Sequence, residues 1–147
     1  AYDDNTGDRL RDAWEKANAN FTELYSLFTY NIPFAFNTET DDLSISSSAI
    51  TFVSPNFDIN VTGVSVNVNT PPVGADATFD ILVGGVSILS TTITIDATTT
   101  NSEDSVTPPV ISTALIPANS VITLDILTIG TTLAGTGGKS YIYYTKA

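Results

Sequence analysis

The feature that most constrains this chain is a seven-residue apolar repeat near its N-terminus. Large apolar side chains recur there at alternating steps of four and three residues: Leu10, Trp14, Ala17, Phe21, Leu24 and Phe28. This spacing aligns them along one side of a helix, as in the helices of a coiled coil. We call these six residues the seam. They predict a helix over about residues 7–29 whose seam is an oligomer interface.

A second interpretation of the repeat stays open, because the stretch is shorter than three heptads. An amphipathic helix that lies on its own β-domain shows a similar pattern. The two arrangements can coexist, with the inner edge of the helix meeting sister helices and Trp14 or Tyr25 meeting a β-domain. Asn31 and Pro33 are expected to end the helix, since the residue before a proline resists helical geometry.

Beyond Tyr30 the sequence changes to Thr, Ser, Val and Ile in two-residue alternation, which is typical of strands with one buried face. We predict strands at residues 33–37, 43–53, 57–68, 77–83, 86–95, 105–115, 121–129 and 139–145. The chain therefore divides into an N-terminal helix, residues 1–30, and a β-domain, residues 31–147. The expected fold class is mainly β: a single antiparallel, jelly-roll-like β-sandwich preceded by one α-helix.

Two glycine positions make this prediction more specific. Gly84-Gly85 separates two alternating runs and predicts a two-residue hairpin turn. Apolar residues are odd-numbered from Phe57 to Val61 but even-numbered from Val64 to Val68. This change of parity across Thr62-Gly63 indicates a β-bulge, or else a tight turn. A β-branched residue at position 63 is therefore expected to destabilise the domain by about one to a few kcal/mol.

The charge of the chain excludes some partners. The formal net charge is −11, and residues 31–147 contain ten acidic side chains against two lysines, Lys139 and Lys146. Phosphate backbones and anionic headgroups bind clustered Lys and Arg. We therefore expect no nucleic-acid and no membrane partner. Residues 1–30 contain no secretory signal, and no apolar run approaches the length of a membrane span.

Cysteine and histidine are both absent, so thiolate and imidazole chemistry is excluded. Paired carboxylates remain possible for glycoside hydrolysis, but no spacing selects a pair. Asp41-Asp42 and Glu103-Asp104 are possible calcium ligands, although no calcium-loop motif occurs. We expect no enzyme activity, no cofactor and no metal site.

Aromatic side chains are the remaining candidates for a binding site, because sugars stack on aromatic faces. Five phenylalanines lie in alternating runs and are expected in the core: Phe34, Phe36, Phe52, Phe57 and Phe79. Tyr141 and Tyr143 share one face of the last predicted strand and are the best candidates for glycan binding, against ordinary strand packing. The polar segment 96–109 lacks apolar anchors and is expected to be a mobile loop.

Two stretches of the chain resemble tailed-bacteriophage virion proteins. The first runs from Thr6-Gly7-Asp8-Arg9-Leu10-Arg11-Asp12-Ala13-Trp14 through Lys16 and Asn18 to Asn20-Phe21-Thr22-Glu23-Leu24-Tyr25. It is similar to an N-terminal helical motif of these proteins, in which Phe is usual where this chain has Trp14.

The second stretch resembles a small β-domain found at fibre tips and on capsid surfaces of phages. Its matching positions are Asp80-Ile81, Gly85, Ser87-Ile88-Leu89-Ser90-Thr91, Thr94-Ile95-Asp96, Pro109-Val110-Ile111-Ser112, Val121-Ile122-Thr123-Leu124-Asp125-Ile126, Gly130 and Ala134-Gly135. That family often has Lys before the hairpin glycine, where this chain has Leu82-Val83-Gly84.

The resemblance implies a structural protein on the virion surface. Together with the seam, it predicts a homotrimeric capsid decoration or short surface fibre that contacts other virion proteins. The alternative is a tail-fibre tip protein that binds a host surface glycan. A third possibility, from another class, is a secreted carbohydrate-binding module or glycosidase fragment.

Overall fold

The computed structural model describes residues 6–26 and 28–147, and within the helix it describes the side chains of residues 9–25. The helix α1 spans Thr6–Ser26, and β1, Tyr30–Ala35, follows after a short connection. Residues 1–5 and 27 of the expected N-terminal unit lie outside the described residues.

The helix is shorter at its C-terminal end than the sequence predicts. It ends at Ser26 instead of about Thr29, so Phe28, the last seam residue, lies beyond the helix. The reason is the strand that follows: residues from Tyr30 onward pair with the last strand of the domain. Pro33 lies inside β1, which is tolerated because β1 is an edge strand of its sheet.

The rest of the chain forms eleven short strands among the described residues. After β1 they are β2 Ser46–Val53, β3 Ile59–Asn67, β4 Ala77–Val83, β5 Val86–Ser87, β6 Leu89–Thr91, β7 Ile93–Ile95, β8 Val110–Ile111, β9 Leu115–Ile116, β10 Val121–Thr128 and β11 Lys139–Lys146. A 3₁₀ turn spans Ser102–Asp104. The chain is therefore mainly β with one N-terminal helix, as predicted.

The strand order is that of a jelly roll. One sheet has the order β1-β11-β3-β9 and the other β2-β10-β4-β5, with β7 also paired to β4. The first strand thus pairs with the last, and β2 pairs with β10, always antiparallel. Nested pairing of this kind, distributed over two sheets, defines the double-sheet jelly roll.

The core lies between the two sheets and contains side chains from both. Val66 of β3, Phe79 of β4 and Leu124 of β10 are fully buried in one apolar cluster. Aromatic pairs also join the sheets: the rings of Phe34 in β1 and Phe52 in β2 are 4.6 Å apart between centroids. Of the five phenylalanines expected in the core, Phe79 is fully buried, and the other four are partly buried and pack against the core cluster.

Two predicted strands are broken in the structure. The predicted strand 86–95 is divided into β5, β6 and β7; β5 and β7 pair with β4, while β6 pairs with β8. The predicted strand 105–115 is only β8 and the start of β9. Pro108 and Pro109 supply no backbone donor there, and the preceding backbone is bound by a side chain, since the Val106 N–H donates to Asp96.

The structure confirms the predicted hairpin turn and the predicted β-bulge. Gly84 and Gly85 have φ of 58° and 84°, and Val83 pairs with Val86 across them. Two positive φ values are the mark of a type I′ hairpin. In β3, Tyr143 pairs with Gly63 and Tyr144 with Val61, so Thr62 is an extra residue and the distortion is a β-bulge.

The expected strain at Gly63 is not found. Its φ is not among the positive values, and an added Cβ would meet the Tyr143 ring at an ordinary contact distance of 3.4 Å. The bulge, rather than an unusual glycine conformation, therefore accounts for the change of parity.

Candidate functional site

Two surfaces of the molecule carry candidate functional residues: the seam on α1, and the outer face of the sheet that contains β11. The seam is exposed along its whole length. Trp14 is 68% exposed, Leu10 63% and Phe21 58%, and Leu24 and Phe28 are also exposed. Ala17 is partly exposed. A helix packed on its own β-domain would bury these side chains, so their exposure argues against intrachain packing.

The seam ends beside an apolar crevice where the helix joins the β-domain. The crevice has a volume of about 660 Å³, and its lining includes Tyr25 from the helix, Tyr30 from β1 and Phe57 from the loop before β3. The ammonium group of Lys146 lies 5.4 Å from the centre of the Phe57 ring. The Phe28 ring lies 6.4 Å from Tyr25, so the seam and the crevice together form an apolar surface that begins on the helix and reaches the domain.

The second surface is organised by the alternation of β11. Ser140, Ile142 and Tyr144 are buried, while Tyr141 and Tyr143 are only partly buried and lie on the opposite face. Their rings are stacked, with centroids 6.4 Å apart and planes 17° from parallel. This confirms that the two tyrosines share the outer face of the sheet.

The tyrosines form one wall of a polar groove with a volume of about 280 Å³. We call it the tyrosine groove. Beside Tyr141 and Tyr143, its lining includes Ser65 and Asn67 from β3 and Asn101 and Glu103 from the loop before β8. The strand register explains the arrangement, since Tyr141 pairs with Ser65 and Lys139 with Asn67.

The opposite wall is fixed by hydrogen bonds rather than apolar contacts. The Ser102 hydroxyl, which is buried, accepts a hydrogen bond from the Val66 N–H at 2.9 Å. The Val68 N–H donates to the carbonyl of Thr100, so the loop continues along the edge of β3. Asn101 caps the 3₁₀ turn by accepting from the Glu103 N–H. The polar segment 96–109 is thus anchored, although no apolar residue in it suggested this.

Sequence reasoning found the two tyrosines, considered Glu103 only as a possible calcium ligand, and missed Asn67 and Asn101. A signal for the first was present: Val64, Val66 and Val68 face the core, so position 67 must face outward like the tyrosines. The two loop residues gave only an Asn-Ser pair of the kind that caps turns.

Three of the acidic side chains hold loops. Asp58 accepts from the Ala118 N–H, Asp76 from the Ala97 N–H and Asp125 from the Ser48 N–H, each within 2.8 Å. Among the residues that the structure describes, no three His, Cys, Asp or Glu side chains are grouped to hold a metal ion. The same residues include no helix long and apolar enough to cross a membrane.

A small polar cluster surrounds Lys139, the first residue of β11. Lys139 donates to Glu39 at 2.9 Å and to the Asn69 side-chain carbonyl at 3.2 Å. Hydrogen bonds from Asn69 and then from Lys139 lower the pKa of the Glu39 carboxyl. The positive charge of Lys139 is therefore already paired within the chain.

No protein-family model matches this chain, and no curated protein matches it. Among solved structures, the chain is similar to the core domain of Drosophila NLP, a structure described as giving insight into pentamer formation and histone binding. The two are 13% identical over 80% of this chain and 98% of that chain, with a TM-score of 0.42. A likeness of this size carries no argument about function.

Proposed function

We propose that this chain is a non-enzymatic structural protein of a tailed-phage particle, a homotrimeric capsid decoration or short fibre on the virion surface. The observation that carries the proposal is the exposed seam on a chain whose β-domain already encloses its own core. The resemblance of residues 6–25 to the helical motif of virion proteins is the reason for proposing that the chain is part of a phage particle.

The seam needs a partner on energetic grounds. Most helical stability in proteins comes from burial of an apolar face, and the apolar side of α1, a helix of 21 residues, is exposed. Each large seam side chain contributes about 1.5–3 kcal/mol when fully buried. Five such side chains give about 7.5–15 kcal/mol of gross free energy per chain, which is of the same order as the roughly 4–15 kcal/mol cost of association.

A second copy of the same chain is the partner that fits best. The repeat alternates in steps of four and three, which is the pattern that packs against an identical helix. The crevice at the base of α1 would then receive apolar side chains from a neighbouring copy. The acidic β-domains would surround the bundle and contact other virion proteins.

Labelling of intact particles tests the proposed location. Antibodies raised against residues 31–147 are applied to purified particles from cultures that produce the chain, and bound antibody is visualised by electron microscopy. We expect gold label over the capsid or at the tail. Preincubation of the antibody with purified chain is the control and should remove the label. Unlabelled particles alongside free chain in the medium would contradict a virion role.

A second function, recognition of a host surface glycan at a fibre tip, is favoured by one specific observation. The stacked rings of Tyr141 and Tyr143 border a polar groove on the outer face of the sheet. This function adds to the structural role, because the seam and the groove use different residues.

A further inference from the structure

We propose that the tyrosine groove is a binding site for an uncharged sugar residue of a surface polysaccharide. The proposal rests on the second function, glycan recognition, and does not require the trimer. It assigns the ligand class and adds Asn67, Asn101 and Glu103 to the two tyrosines.

The first argument is the chemistry of the lining. Sugar rings present patches of C–H groups that pack on aromatic faces, and hydroxyls that need donors and acceptors. The groove offers both. The tyrosine rings form one side, while amide groups of Asn67 and Asn101 and the carboxylate of Glu103 lie on the floor and the opposite side.

The second argument is an unsatisfied acceptor. The Oδ1 atom of Asn67 is buried and accepts no hydrogen bond from any residue that the structure describes. Buried polar side-chain atoms in native proteins nearly always have a partner. Rotation of the amide group would bring this atom to the surface of the groove, which Asn67 lines, and a ligand hydroxyl there would supply the donor that it lacks.

The third argument is that the groove is formed before any ligand binds. Ser102 fixes the loop to β3 through the Val66 N–H, and Asn101 holds Glu103 in the 3₁₀ turn. The Tyr143 hydroxyl lies 3.5 Å from the Glu103 carboxylate, which joins the two walls across the groove. Groups already held in place lose little conformational entropy on binding, which favours affinity for a small ligand.

Charge and size narrow the ligand class. Glu103 lies in the groove, and Lys139 is engaged by Glu39 and Asn69. Sulfated, phosphorylated or uronic-acid sugars would therefore meet a carboxylate without a free cation. A volume of about 280 Å³ is near the lower end of the range for small-molecule sites, about 300–1,000 Å³. The groove suits one terminal sugar of a longer chain.

The test uses the 147-residue chain on an array of neutral oligosaccharides built from glucose, galactose, mannose and N-acetylhexosamines, with uronic-acid and sulfated glycans on the same array. Glycans that bind are then measured in solution by calorimetry. We expect binding to at least one neutral glycan. Tyr141→Ala and Tyr143→Ala should each weaken it at least about tenfold, because each removes a stacking face.

Tyr141→Phe is the matched control, because it keeps the ring and removes only the hydroxyl group. It should bind within about threefold of the original chain. Asn67→Ala should weaken binding without changing the circular dichroism spectrum, which separates loss of a contact from loss of fold.

Three outcomes would overturn the proposal. The first is no binding to any neutral glycan, the second is binding to the anionic glycans alone, and the third is equal binding of neutral glycans after both tyrosine-to-alanine changes. The last result would leave glycan recognition standing but place it elsewhere. Light scattering on the same samples reports the oligomer separately, so failure of the groove does not count against the structural role.

Discussion

The helix and the β-domain contain the same kinds of large apolar side chain, but the β-domain buries them and the helix exposes them. Phe79 in β4 is fully buried, whereas Trp14 in α1 is 68% exposed. The β-domain has two sheets that cover each other, so it completes its own core. The helix has only one apolar side and no second layer. The contrast indicates that the β-domain folds on its own contacts, whereas the helix, in the proposal made above, depends on a partner.

Removing the helix should have the largest effect on assembly and little effect on the fold. Residues 31–147 alone should keep a β-type circular dichroism spectrum and a cooperative thermal transition, because their core contains no residue of α1. The same fragment should be a monomer by light scattering. An unfolded fragment would show that the helix is part of the core, and it would contradict the claim that the β-domain folds on its own contacts.

Phe79→Ala tests the β-domain, the part of the chain that encloses its own core. The side chain is fully buried, and its ring lies 5.5 Å from that of Phe36. We expect the free energy of unfolding to fall by about 3–5 kcal/mol, the range for a large aromatic removed from a core. Urea denaturation followed by circular dichroism measures this. The mass of the folded fraction should not change; a changed mass would mean that core and assembly are coupled.

Trp14→Ala tests the helix, the part of the chain that is proposed to need a partner. The expected outcome is the opposite of that for Phe79→Ala. The substitution should weaken association by about 3 kcal/mol, as for a buried interfacial tryptophan, and leave the urea midpoint of the β-domain unaltered. Because Trp14 is the only tryptophan, the fluorescence of the unmutated chain reports on the seam. Emission should be blue-shifted in the oligomer and move to the red on dilution. A red, water-exposed spectrum at all concentrations would place Trp14 outside any interface.

The smallest effects on stability are expected for substitutions of two glycines of the β-domain, Gly84 and Gly63. Gly84→Val puts a β-branched residue at a φ of 58° and should cost about 1–3 kcal/mol. Gly63→Val serves as the matched control, since its Cβ would make only an ordinary contact with Tyr143; its cost should stay below about 1 kcal/mol. Thermal denaturation compares the two variants, and the reverse order would mean that the bulge, not the hairpin, sets the strain.

The sequence predicted most of the β-domain because its elements are local patterns. Alternation located the strands, and the change of parity at Thr62-Gly63 located the bulge. The broken strand 86–95 was not predictable, since the departure of β6 depends on pairing with β8, about twenty residues away. A hydrogen bond from the Val106 N–H to Asp96, ten residues earlier, shortened the next strand in the same non-local way, whereas the effect of Pro108 and Pro109 is local.

The groove was predictable only in part, for a related reason. The alternation of β11 placed Tyr141 and Tyr143 on one face. The opposite wall is built by a loop that binds β3 through Ser102, and a polar loop gives no periodic signal. Local patterns therefore reveal regular elements, while the loop contacts that complete a site require the fold.

The most direct test of the account is the mass of the 147-residue chain in solution, measured by light scattering or sedimentation at micromolar concentration. The account predicts about 46 kDa, three times the chain mass of 15.5 kDa, with dissociation when seam residues are replaced. A stable 15.5 kDa species across the concentration range would contradict it, because the exposed seam would then have no affinity for its own copies.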